Sequence, residues 1–155
     1  MSETNTVPTD IVAREMFKFD NAARALGITI HESGPGVATT KMLVRVDMLN
    51  IHGTCHGGIL FAFADTAFAY ACNSGNKATV GMNCTISYLN PCYEGEILTA
   101  IACERMRERR NGVYDVTVKG PDDRIIAIFQ GNSREIRGES VPGLTKRMVD
   151  TQNSE

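Results

Sequence analysis

The chain has no tryptophan, only 6% aromatic residues and no excess of either charge, its 155 residues carrying a net −2. Few aromatics, no recognisable motif and no global positive field argue against nucleic-acid binding. No C-x-x-C pair occurs, and the five cysteines (Cys55, Cys72, Cys84, Cys92 and Cys103) are an odd number. That argues against a disulfide framework or a zinc knuckle and fits a reducing compartment. The longest apolar run, Ile59 to Cys72, is broken by Asp65 and Thr66 and is too short and too polar to cross a bilayer. The opening MSETNTVPTD lacks a basic segment followed by an apolar one, so it does not read as a secretory signal. A cytoplasmic protein of one domain is the expectation. Neither repeats nor low-complexity segments are present.

What the chain does have is HGGILFAFADTAFAYACNS, residues 56–74. As a helix from about Gly57 to Asn73 it would be apolar on every face, and such a helix is buried. Its single charge, Asp65, is costly there unless paired, hydrogen-bonded or protonated. Asp65 is therefore the first candidate for chemistry; the alternative is a core carboxylate satisfied by Thr, Ser or backbone partners.

Around this helix the pattern predicts one earlier helix and five strands. Asp10 is a plausible N-cap for a helix from Ile11 to about Leu26, stopped by Gly27. A short apolar segment, Ile28 to His31, leads into turn-rich Glu32 to Gly36. Met42, Val44, Val46 and Met48 alternate with Lys41, Leu43, Arg45 and Asp47, predicting a strand from about Val37 to Met48. Four more strands follow the buried helix: Thr79–Leu89, Ile97–Arg107, Gly112–Lys119 and Arg124–Ile136. Asn111-Gly112 is a hairpin signal between two of them. Residues 1–9 and the polar segment 138–155 read as flexible ends of a domain spanning 10–137. Strands in sequence joined by short turns form an antiparallel sheet. With one long apolar helix on one face, the fold class is α+β. Open sheet edges need covering, which points to a homodimer.

The His56-Gly57-Gly58 turn, the Ala64-Asp65 step and the AFAYACNS run resemble the hotdog-fold acyl-CoA thioesterases, in particular the PaaI type of phenylacetate degradation. Cys84-Thr85-Ile86, Asn90-Pro91, Gly112-Val113-Tyr114-Asp115 and Ile128-Phe129-Gln130-Gly131 share the likeness, which covers about residues 12–137. The resemblance implies a hotdog fold, with the antiparallel sheet wrapped around the helix. It implies that Asp65 is the catalytic carboxylate and that the Gly57 N–H polarises the thioester carbonyl. It also implies that a His56–Asn50 contact shapes the turn and steadies the acyl group. Homodimers with a shared site, often paired into tetramers, are implied as well, acting on phenylacetyl-CoA or hydroxylated relatives.

Elementary chemistry agrees with that reading. A helix N-terminus offers free N–H groups and partial positive charge, and Gly57 and Gly58 let a carbonyl approach closely. Asp65 could act as general base on water or attack directly to give an anhydride. It lies eight residues beyond Gly57, roughly 12 Å along one helix, so a second subunit's Asp65 is needed to meet this Gly57. No metal or cofactor is implied: His52, Cys55 and His56 lie in a glycine-rich turn without the H-E-x-x-H pattern. A Cys55–His56 dyad lacks a third orienting residue, and the remaining cysteines read as small buried hydrophobes. Arg105, Arg107, Arg109 and Arg110, with Arg134 and Arg137, are candidates for the phosphates of coenzyme A. Thr79, Asn83 and Thr85 are candidates for placing the water. Phe61, Phe68, Tyr70 and Met82 could line an acyl slot or be core. Two other classes stay open: a hotdog hydratase or dehydratase, and an acyl-CoA-binding module without turnover.

Overall fold

The computed structural model describes residues 7–152. In chain order the elements are α1 (Thr9–Phe19), α2 (Asn21–Ala25), β1 (Thr29–Gly34), β2 (Val37–Leu43), α3 (Gly57–Cys72), β3 (Lys77–Tyr88), β4 (Ile97–Glu108), β5 (Asn111–Lys119), β6 (Ile125–Glu139) and α4 (Leu144–Gln152). The six strands form one antiparallel sheet in the order β1-β2-β4-β5-β6-β3. It wraps around α3, which touches every strand. This is the hotdog architecture that the resemblance implies. No helix among the described residues is long and apolar enough to cross a membrane.

The core lies between α3 and the concave face of the sheet. Leu60, Phe63, Ala64, Ala67, Phe68 and Ala71 of α3 meet Met42, Leu98, Val116, Val118 and Phe129 from four strands. Small residues let the sheet come close. A Cβ on Gly131 would lie 2.8 Å from the Phe68 ring, so Phe68 beds directly on the β6 backbone.

Five local expectations are corrected. The first helix is two, because Asp20 leaves the helical region and caps α2, its carboxylate accepting from the Ala23 N–H at 3.0 Å. Asp10 is not the N-cap: α1 starts at Thr9 after Pro8, and Asp10 pairs with Arg14 inside the first turn. Residues 29–34 form β1, making six strands rather than five. β2 ends at Leu43; Arg45 pairs with Asp47 at 3.0 Å and turns the chain into a 3-10 turn, Val46–Met48, that leaves Val46 exposed. The β4–β5 hairpin turns at Arg109-Arg110, with Arg109 at φ 53°, and Asn111 pairs with Glu108 inside the ladder. Gly112 serves packing instead: a Cβ there would lie 2.8 Å from the Tyr114 ring and 2.9 Å from Ser133 Oγ.

The ends differ too. β6 runs to Glu139 and α4 follows, where a loose tail is expected. Val141 and Leu144 bury against Val12 of α1, with Val7 and Met148 packed on them. Of the expected flexible N-terminal segment, residues 1–6 lie outside the described residues, whereas Thr9 already belongs to α1.

The end of α3 is tied down by Asn73. Its amide donates to Thr79 O at 3.0 Å, and its carbonyl accepts from Thr79 N at 2.9 Å and from Ser140 Oγ at 2.7 Å. Asn73→Ala strands these buried groups and is expected to lower the unfolding free energy by about 2–3 kcal/mol, read by urea denaturation. An unchanged midpoint would mean that Asn73 does not anchor this junction.

Candidate active site

His56 caps α3 from an extended conformation, and its Nδ1 accepts from the Gly58 N–H at 2.9 Å. An accepting Nδ1 carries no proton, so this arrangement fixes the imidazole tautomer with hydrogen on Nε2. The His56 carbonyl takes the N–H groups of Ile59 and Leu60. The Gly57 N–H is left without a partner among the described residues, at the positive end of a sixteen-residue helix. Tyr88 of β3 donates its hydroxyl to the Gly57 carbonyl at 2.8 Å, its ring lying over Gly57 where a Cβ would meet it at 3.1 Å. Gly57, Asn50, Cys55, Leu60, Tyr88 and Cys92 line one cavity of about 390 Å³.

Asn50 holds the loop that enters this turn. Its Oδ1 accepts from His52 N at 2.9 Å and Thr54 N at 3.2 Å, and its Nδ2 donates to Thr54 Oγ1 at 3.0 Å. No hydrogen bond joins His56 to Asn50, contrary to the expected contact: the His56 ring is engaged by Gly58 N, and Asn50 by His52 and Thr54. Asn50 instead acts two steps back, while Cys55 N and His56 N are held by Cys92 O and Met48 O.

Asp65 is not in that cavity. It lies two turns further along α3, on a stripe with Ala62, Thr66 and Ala69 that the chain's own sheet leaves half-buried. The helix is thus not buried all round, and its one carboxylate sits where cover is missing. Asp65 forms no ion pair among the described residues. Its hydrogen-bond partner is the Cys84 thiol, 3.9 Å from Oδ1. Burial raises the Asp65 carboxyl above its ordinary 3.8, and the Cys84 contact offsets part of the rise. Burial and the adjacent carboxylate push the Cys84 thiol up to about 11.

The structure thus brings Asn50, Gly57 and Tyr88 together and leaves Asp65 apart, beside the free edge strand β3. Cys84 was missed in the sequence; alternation along β3 turns it toward α3 and turns Thr85 to the opposite face. Thr79 is spent on Asn73 and Lys77. Phe68 and Tyr70 are core; Phe61 is half-buried against Phe129, and Met82 is exposed on β3. Cys72 and Cys92 are buried as expected, and so is Cys55, but Cys84 is only partly covered and Cys103 is exposed, against that expectation. Arg105 pairs with Asp115, and Arg107 binds Glu104, Tyr114 and the end of α3 at Cys72 O. Arg109, Arg110, Arg134 and Arg137 form no ion pair among the described residues.

Acyl-coenzyme A thioesterase PaaI of Escherichia coli K12 is 45% identical over 126 residues, 81% of this chain and 90% of that protein. A family model described as thioesterase superfamily matches residues 52–127. The chain belongs to the thioesterase superfamily. With that thioesterase relative, it is a thioester hydrolase. A putative esterase of Archaeoglobus fulgidus is 35% identical over 127 residues, 82% of either chain. The solved structure of E. coli PaaI, from the phenylacetic acid degradation operon, superposes with a TM-score of 0.84 at 43% identity, covering 85% of this chain and 96% of that one. A mutant of phenylacetic acid degradation protein PaaI from Thermus thermophilus gives 0.73 at 36% identity, over 76% and 100% of the two chains. The superfamily match spans the whole of α3, with both Gly57 and Asp65.

Proposed function

We propose that this chain is an acyl-CoA thioesterase of PaaI type, hydrolysing phenylacetyl-CoA or a related aromatic acyl-CoA to the free acid and CoA. Its active site is shared between two subunits: Gly57 from one, Asp65 from the other. The observation that carries this reading is the division of α3. An unpartnered N–H stands at its start, and an unpaired carboxylate stands two turns on, on the stripe the sheet leaves uncovered. Edge strand β3 runs beside that stripe, with Val80 and Met82 exposed. Two copies joined β3 to β3 about a twofold axis set their helices antiparallel, so each N-terminus lies beside the other's middle. The catalytic unit is assigned to residues 10–137, in a cytoplasmic homodimer that pairs further to a tetramer.

In this mechanism the thioester carbonyl oxygen sits on Gly57 N–H, where charge develops as the carbon becomes tetrahedral. Asp65 takes a proton from water as the water attacks, and returns it to the departing CoA sulfur, which leaves as the thiol. Direct attack by Asp65, giving an anhydride that water then cleaves, has the same net balance: thioester plus water gives acid plus thiol. His56 and Asn50 hold the turn. Gly58 gives close approach, but its N–H is already spent on His56. A hydratase, which pairs a His with the acid, is disfavoured because His56 Nδ1 is committed to the cap.

The base must be ionised, so activity rises with pH through the native Asp65 pKa. Burial raises that value in the free enzyme, so the acid limb of kcat/KM is expected to lie above the ordinary carboxylate value of 3.8. A pH–rate profile on one acyl-CoA checks it; a limb at or below 3.8 contradicts the assigned base. The reaction class is tested by free-thiol release from aromatic and aliphatic acyl-CoAs. Turnover led by aromatic acyl groups is expected. Preference for straight chains would overturn the substrate, and hydration of crotonyl-CoA without thiol release would overturn the class.

A further inference from the structure

We propose that Cys55 and Cys92 form a reversible oxidation site, closing to a disulfide that shuts the pocket at the N-terminus of α3. Cys55 N donates to Cys92 O at 2.9 Å. A direct hydrogen bond of this kind holds the two α-carbons within the range of about 4.4–6.8 Å that a disulfide spans. The two thiols lie near enough to shift each other's ionisation, Cys55 downward and Cys92 upward, while Cys55 Sγ lies 3.9 Å from His56 O. Both residues are buried from bulk solvent, at 5% and 1% exposure, yet both line the cavity that holds Gly57 and Asn50. A small oxidant therefore reaches them by the route a substrate takes. Two cysteines joined through their backbones thus share one wall of the site.

The contact also sets the order of events. The Cys92 S–H draws the Cys55 thiol down, whereas Cys92 itself is driven up by that contact and by burial. Cys55 is thus the first to ionise and attack. With hydrogen peroxide as the oxidant, the Cys55 thiolate breaks the O–O bond, giving a sulfenic acid and hydroxide. Hydroxide takes the proton released at Cys55 and becomes water. The Cys92 sulfur then displaces the sulfenic hydroxyl, which leaves as a second water with the Cys92 proton. Two thiols and one peroxide give one disulfide and two waters.

Closing the sulfurs to about 2.05 Å draws the loop after Pro91 onto the segment entering α3. Cys55 directly precedes the cap His56, whose carbonyl and ring hold the first turn. Gly57 N–H moves with it. Displacing a catalytic group by about 1 Å costs on the order of 10²-fold. This effect on turnover rests on the thioesterase reading given above; formation of the bond does not.

The test treats the reduced full-length protein with dilute hydrogen peroxide, maps its peptides by mass spectrometry and assays thiol release in parallel. The expected result is a linked peptide pair containing Cys55 and Cys92, two hydrogens lighter than the free pair. With it, turnover falls at least about tenfold and dithiothreitol restores it. In Cys92→Ser, and in Cys92→Ala as a second variant, the ratio of treated to untreated turnover stays near one. Both cysteines still open to alkylation after treatment would overturn the proposal. So would a linked pair with unchanged turnover, or equal inactivation of Cys92→Ser. Failure of the thioesterase reading shows separately, as absent turnover in the reduced protein.

Discussion

Replacing Asp65 by Asn is expected to lower kcat by about 10³-fold, within the 10²–10⁴ that a positioned base contributes, with the fold intact. Asn has the same shape and keeps a polar group toward Cys84, so neither α3 nor β3 needs to move. Stability is expected to change in the opposite direction to activity. The native state raises the Asp65 pKa, so it holds that proton more tightly than the unfolded chain does. The cost of the buried charge is full above the native pKa and vanishes below the unfolded value of about 3.8. Asp65→Asn should therefore raise Tm at pH 7 and lose that advantage as pH falls toward 3.8. A variant that is inactive and less stable at pH 7 would mark Asp65 as a structural group.

Gly57→Pro is expected to lower kcat by about 10²–10³-fold, the usual cost of losing one oxyanion donor, while leaving the helix standing. Proline suits the first helical position, where its missing N–H has no intrahelical role. His56 is already extended at φ −62° and ψ 135°, as a residue before proline must be. The added Cβ pushes on the Tyr88 ring, which is about half-exposed and free to swing. Gly57→Ala makes the same push but keeps the N–H, so it isolates the donor. Alanine should cost much less than proline. Equal losses in the two would put the effect in the displaced Tyr88 and remove Gly57 from the chemistry.

Much of this was readable in the chain because period and punctuation agree. α3 begins at Gly57 and ends at Cys72 as its apolar run requires, and the four later strands fall where turn residues bracket them. Other features depended on side chains reaching across the fold. Asp20 breaks the first helix by capping the next turn, and its second oxygen takes Tyr70 OH at 3.2 Å, fifty residues away. Asn111-Gly112 carries a turn signal, but the demand for a bare backbone beside Tyr114 and Ser133 places Gly112 inside the ladder. α4 was missed: Val141 before it and Leu144 and Met148 within it recur at three- and four-residue spacing, a signal outweighed by the polar residues between them. In the site, the motif marked Gly57 and Asp65. The Asn50–Thr54 bonds are local but lie in an irregular turn with no periodic signal, and the Tyr88 contact and the Cys84 thiol are set by pairing of distant segments, which one sequence does not display.

The central claim is that one site takes Gly57 from one subunit and Asp65 from its partner, and subunit mixing tests it most directly. Asp65→Asn and Gly57→Pro proteins are each nearly inactive. Combined by denaturation and refolding in equal amounts, half of the dimers are mixed, and each mixed dimer holds one site with neither substitution. The account predicts recovery to about a quarter of wild-type thiol release for random pairing of a twofold dimer. Wild type refolded in the same way sets the scale. A mixture no more active than its two components would contradict the shared site and place both groups within one chain.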